Sequence, residues 1–200
     1  MMLPGTAAAH PHVWVAVEAT VGYAGGYITG LKQRWQFDDM YTAMAIQGLD
    51  ANGDGVYSRE ELQGLAKVNI DGIEQFDYFT HAKLEETALG FVRPTEYWLE
   101  YENGVLTLTF VLPLASPISS QTSGFTFSIY DPTYFIAFDL AKEAPVKLGA
   151  GAPPGCAPTV DAAPAQGADA QTLADAFAAQ LGGGAGSELA KTVRVECARS

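Results

Sequence analysis

The chain has 200 residues, of which 48% are hydrophobic, 11% aromatic and 17% charged. That is a globular composition, long enough for one self-sufficient core, and no apolar run approaches the ~20 residues of a membrane helix. With 11 Lys+Arg against 23 Asp+Glu the formal charge is −12, which argues against nucleic acid and anionic membrane surfaces and leaves cations as natural ligands; without a membrane helix no direct membrane insertion is expected.

Residues 1–9 end in Ala7-Ala8-Ala9, the small-residue form of a signal-peptidase site, and read as a signal-peptide remnant cleaved after Ala9. From residue 12 the pattern alternates: Val13, Val15, Val17 and Ala19 oppose His12, Trp14, Ala16 and Glu18, which predicts a strand. After a Gly-rich turn (Gly22, Gly25, Gly26) a second strand places Leu31, Trp35 and Phe37 against Lys32, Arg34 and Gln36. The period then changes. Asp38 reads as an N-cap for a helix carrying Tyr41, Met44, Ala45, Gly48 and Leu49. A second helix follows with Leu62, Leu65, Ala66, Ile70 and Ile73 on one face.

Strand alternation returns over Phe76–Leu84. Tyr97–Glu102 and Val105–Leu112 flank Asn103-Gly104, a strong hairpin signal. Phe125, Phe127 and Ile129 mark another strand, broken at Asp131-Pro132, and Tyr134–Leu140 the next. The aromatics Trp98, Tyr101, Tyr130, Tyr134, Phe135 and Phe138 sit at strand spacing and are expected mostly in the core. Residues 149–170 are Ala/Pro/Gly-rich and read as a loop. A short helix (Leu173–Leu181) and a last strand (Thr192–Cys197) complete the chain.

The expected class is α+β: a β-rich, sandwich-like domain of antiparallel sheets over residues 10–148, with an EF-hand-like insertion at 38–73 and a short C-terminal helix. The segment 171–200 would be tied back by a bond between Cys156 and Cys197, which lie in no CxxC and beside no histidine. One structural disulfide in an oxidising compartment suits this placement, with two free buried thiols as the alternative.

Between the two helices, Asp50-Ala51-Asn52-Gly53-Asp54-Gly55-Val56-Tyr57-Ser58-Arg59-Glu60-Glu61 matches the calcium-loop pattern D-x-[DN]-x-[DN]-G-x5-E at every specified position. A hard cation of calcium's size takes six to eight oxygens on a short chain. Asp50, Asn52 and Asp54 supply side-chain oxygens, Val56 a carbonyl, Ser58 a direct or water-mediated contact and Glu61 two oxygens. The competing reading is an Asp/Asn/Gly-rich turn in which Ser58 and Glu61 form only a capping box. An unpaired loop suits weak structural binding that staples two helices.

His10-Pro11-His12 follows the proposed cleavage point directly. Two residues apart on a strand, both imidazoles share a face and can converge on one ion, with the freed α-amine of His10 as a further nitrogen. Pro11 has no N–H, which excludes the square-planar site built on successive backbone amides. His81, on a later strand, could join them if those strands are neighbours, with Asp77 or Glu18 as an oxygen ligand. Three imidazoles suit zinc and are compatible with nickel or copper. The competing reading of His81 is an ordinary strand histidine bonded to backbone. Nucleophile elbows, phosphate loops and H-E-x-x-H are absent from the sequence, so no enzyme is expected; an N-terminal copper brace is the one catalytic alternative.

Taken together, His10-Pro11-His12-Val13, Trp35-Gln36-Phe37-Asp38, the stretch Gly48–Gly55, Phe76-Asp77-Tyr78-Phe79-Thr80 and Tyr130-Asp131-Pro132-Thr133-Tyr134-Phe135 resemble a bacterial family of periplasmic proteins of unknown function. That family is described as the periplasmic component of an ABC-type transport system, accompanies nickel/cobalt or zinc permeases, and includes ZevA-like zinc-uptake accessory proteins. The resemblance covers residues 10–160 and implies handling of zinc or nickel/cobalt beside a membrane metal permease, through His10 and His12, with weaker support for His81. The expected role is a periplasmic metal-binding accessory protein. The alternative is a calcium-stapled adaptor that docks on a permease without binding its ion. The oligomeric state is left open.

Overall fold

The computed structural model describes residues 11–163, 187 and 189–197. His10, the first nine residues and the helix expected at Leu173–Leu181 lie outside the described residues. The alternation at the start of the chain becomes β1 (Val13–Ala24) and β2 (Tyr27–Phe37), an antiparallel hairpin turned at Gly25-Gly26, whose φ angles of 57° and 83° are open to glycine at no steric cost. Every second residue, from Val15 to Val21 and from Leu31 to Phe37, is buried.

Two helices interrupt the sheet: α1 (Asp39–Ala45) and α2 (Arg59–Glu74). The Asp38 carboxylate caps α1 by accepting from the Tyr41 N–H at 2.9 Å and also accepts from the Trp14 N–H at 2.8 Å, which fastens the helix to the first strand. α1 is shorter than its spacing predicts. Gly48 and Leu49 fall beyond it, Thr42 is its buried residue, and Met44 faces solvent. α2 follows its pattern: Leu62, Ala66 and Ile70 are fully buried, each Leu or Ile contributing about 1.5–3 kcal/mol.

After α2, the segment expected to begin a strand at Phe76 forms a left-handed turn, with Asp77, Tyr78 and Phe79 at φ of 52°, 55° and 51°. That turn buries Tyr78 and Phe79 together, which strict alternation would not do. The remaining strands are β3 (Thr80–Leu84), β4 (Thr87–Leu89), β5 (Tyr97–Glu102), β6 (Val105–Ser119), β7 (Phe125–Ile129), β8 (Ile136–Leu140), β9 (Val146–Leu148), β10 (Cys156–Asp161) and β11 (Thr192–Cys197). The Asn103-Gly104 hairpin forms as expected, both residues at positive φ. β10 lies inside the stretch expected to be a loop. Its composition is poor in strand formers, but pairing with β11 from Cys156↔Cys197 to Asp161↔Thr192 supplies the order.

The strands make two sheets. One runs β5-β6-β2-β1-β8 with β9 also on β1; the other runs β10-β11-β7-β3-β4. The expected sandwich-like α+β class holds, with one difference: β8 and β9 run parallel to β1, so the first sheet is mixed. Inward residues of both sheets belong to one buried cluster. Gln33, fully buried on β2, crosses between them: its amide donates to Thr80 Oγ1 on β3 at 2.9 Å and its carbonyl accepts from Trp35 Nε1 at 2.8 Å. The six aromatics expected in the core are less enclosed than that. Phe135 is 54% exposed, and Trp98, Tyr101, Tyr130, Tyr134 and Phe138 are half-buried, with Tyr101 and Phe138 packing against the buried cluster.

Candidate metal-binding sites

The loop between α1 and α2 is built on its own acidic side chains. Asp50 Oδ1 accepts from the N–H groups of Gly53 (2.8 Å) and Asp54 (3.1 Å), and Oδ2 from that of Gly55 (2.9 Å). Asn52 Oδ1 accepts from the Asp54 N–H at 2.8 Å, and Asp54 Oδ1 from the Val56 N–H at 2.7 Å. Short Asp and Asn side chains form such turns where backbone donors lie only a few residues on. Gly53 and Gly55 take φ of 72° and 78°, which permits the tight winding.

Glu61, in the first turn of α2, closes the loop from the far side. Its Oε1 accepts from the Ala51 and Asn52 N–H groups at 2.9 and 3.4 Å; its Oε2 accepts from the Ser58 N–H at 2.9 Å and hydroxyl at 2.8 Å. These bonds, those to Ser58 foremost, hold its carboxyl below the usual range. The capping box and the loop therefore coexist: Ser58 and Glu61 cap α2 while Glu61 reaches back to the loop's beginning. The donor set is all oxygen, the chemistry a hard cation takes. Among the described residues, however, no three His, Cys, Asp or Glu side chains converge closely enough to hold a metal ion. In this arrangement the carboxylates of Asp50, Asp54 and Glu61 serve backbone donors.

The histidines stand apart. His12, exposed just before β1, donates its backbone N–H to the Phe135 carbonyl at 2.9 Å and lays its ring 4.9 Å from that of Phe135. His81 is on β3, in the other sheet, half-buried with its ring stacked on Tyr130 at 4.0 Å. Its Nε2 has no exposed surface and no hydrogen-bond partner. Burial pushes its pKa down, opposed by a bond to the Tyr130 backbone and by the Asp77 charge. The strands of His12 and His81 are thus not neighbours in one sheet, and neither histidine belongs to a three-ligand group among the described residues.

One residue beside the histidine neighbourhoods does more than break a strand. Asp131, 3% exposed, accepts from Thr133 N–H and Oγ1 at 2.8 Å each and from the Phe135 and Ile136 N–H groups at 3.1 Å. It holds residues 131–135 in a turn, delays β8 to Ile136, and fixes the backbone of Phe135, whose ring lies against His12; Tyr130, which stacks on His81, is held by its own N–H bond to the Phe79 carbonyl at 2.9 Å. The signal is in the sequence as Asp-Pro-x-x: Asp at the first position of a turn with Pro at the second.

Cys156 and Cys197 form the expected disulfide, across directly opposed positions of β10 and β11. Among the described residues no helix is long and apolar enough to cross a membrane.

Two relatives are similar in sequence to parts of this chain. The uncharacterized 15.5 kDa protein in the trpE 3′ region of Spirochaeta aurantia is 32% identical over 99 residues, 50% of this chain and 70% of that protein. An uncharacterized protein of Haemophilus influenzae is 25% identical over 142 residues, 71% of this chain and 68% of that protein. The DUF1007 family model, that of a protein of unknown function, matches residues 1–197, and the chain belongs to that family.

Proposed function

We propose that this is an exported, non-enzymatic metal-binding accessory protein of a divalent transition-metal uptake system. His10 and His12 capture zinc, or nickel/cobalt, and pass it to a membrane permease. The observation that carries the reading is His12 itself. Its backbone is anchored to Phe135 while its ring stands exposed at the tip of β1, two residues from a second histidine. A ligand on an anchored strand end can take an ion from solution and release it by exchange with a partner's ligands. The disulfide supports an oxidising compartment, the periplasm on this reading. His81, enclosed under Tyr130, takes no part in the first capture.

Elemental analysis and calorimetry on the chain beginning at His10 test this. One zinc or nickel per chain is expected, lost in His10→Ala with His12→Ala and retained in His81→Gln. Stoichiometric metal in the double-alanine variant would refute the site.

A second reading is favoured by the closed loop at Asp50–Glu61: a calcium-stapled adaptor that docks on a permease without touching its ion. Calcium binding together with transition-metal affinity weaker than micromolar would favour it.

A further inference from the structure

The helical insert leaves an apolar face on the surface. Met40 and Met44, four residues apart on α1, are 68% and 64% exposed. One helical turn separates them, so they share a face. The other sides of α1 are occupied. The Tyr41 hydroxyl donates to Asn69 Oδ1 of α2 at 3.1 Å, and Thr42 Oγ1 accepts from the Leu106 N–H of β6. With Asp38 capping the helix and bonded to Trp14, α1 is a fixed ledge that presents both thioethers outward. Methionine is unbranched and polarizable, suited to packing against varied apolar surfaces.

The stretch of chain that carries this ledge has charge of one sign. From Trp35 to Ser58 the chain carries Asp38, Asp39, Asp50 and Asp54 and no Lys, Arg or His. None of these four is in an ion pair among the described residues. Extending to Glu61 adds Glu60, Glu61 and Arg59, so the segment stays net negative even with one calcium in the loop.

We propose that the Met40–Met44 face of α1 docks a basic amphipathic helix of a protein partner. The partner's apolar side would pack on the two methionines, and its Lys and Arg side chains would meet the carboxylates of Asp38 and Asp39 at the start of α1 and those of the acidic loop that follows it. Apolar contact supplies the adhesion, and charge complementarity selects the partner and its orientation. This surface does not depend on the N-terminal histidines.

The test uses the full chain with isotopically labelled methionine methyls, in calcium. It is titrated with an idealised Leu/Lys amphipathic peptide of about 18 residues, five helical turns, and with a Leu/Glu peptide of the same pattern. The Leu/Lys peptide is expected to shift the Met40 and Met44 methyl resonances, with affinity falling as salt rises. Met40→Ser with Met44→Ser is expected to weaken binding about tenfold or more. Val160→Ser, at an exposed apolar position on β10, should leave binding unchanged. Circular dichroism should show the double-serine variant melting like wild type. Absence of binding, equal binding of the Leu/Glu peptide, or undiminished affinity of the double-serine variant would each overturn the proposal.

Discussion

Replacing Cys156 and Cys197 by serine removes a bond between opposed residues of β10 and β11 that closes a sequence separation of 41. On the chain-entropy account, freeing a loop of that length in the unfolded ensemble lowers stability by about 4 kcal/mol. For a chain of this size each kcal/mol corresponds to ~2–4 °C, so the melting temperature should fall by roughly 8–16 °C. The folded state has other means of keeping the strand. Val193 and Val195 are buried, and β11 also pairs with β7 through Thr192–Arg194. The loss should therefore fall mainly on the unfolded ensemble, which becomes more expanded without the crosslink. Urea unfolding followed by far-ultraviolet circular dichroism would show a lower midpoint and a steeper denaturant dependence than wild type. A loss smaller than about 1 kcal/mol would refute the reasoning, since the crosslink would then not be restricting the unfolded chain.

The calcium loop and His81 offer two further measurements. If the loop binds with the ~10⁻⁴–10⁻³ M affinity of extracellular modules, about 10 mM calcium should add roughly 1.4–2.7 kcal/mol of stability. That gain should vanish in Asp50→Asn with Glu61→Gln, as read by melting with and without calcium; an equal gain in the variant would exclude the loop as the site. His81 has its folded pKa pushed below 6.5 by burial. The unfolded state therefore binds more protons than the folded one as pH falls from about 6.5 toward the lowered value, and stability should decline over that window. Measured in chelator, His81→Gln should flatten this slope, and an unchanged slope would assign it elsewhere. The shifted carboxylates Glu61, Asp71 and Glu100 are held below 4.5 or 3.8 and act at lower pH.

Much of the fold is legible in local chemistry. Alternation at Val13–Ala19 marks β1 because a half-buried strand must segregate its faces every second residue. Asn103-Gly104 marks a hairpin because both residues accept positive φ. The loop Asp50–Glu61 is legible too, since Asp50, Asn52 and Asp54 bond donors only a few residues on and Glu61 closes back within the same loop. Misreadings begin where a partner distant in sequence decides. Phe76–Phe79 alternates like a strand, yet the left-handed turn there buries Tyr78 and Phe79 in the shared core. Cys156–Asp161 looks like a loop, yet β11 pairs with it from a distant stretch of chain, Cys156 opposite Cys197 at a sequence separation of 41.

The two histidine neighbourhoods divide along the same line. By itself the sequence determined the donor chemistry: an oxygen-rich loop held by its own backbone, two histidines spaced to share a strand face, and two cysteines without metal-ligand spacing. Those are short-range properties, set by residue type and by periods of two or a few residues. Only the tertiary structure decided that His81 lies in the opposite sheet, enclosed under Tyr130, and that Met44 faces outward. It also decided that Asp131 fixes the turn carrying Phe135, whose ring lies beside His12. Strand order and sheet assignment come from long-range pairing and shared burial, and no local spacing encodes them.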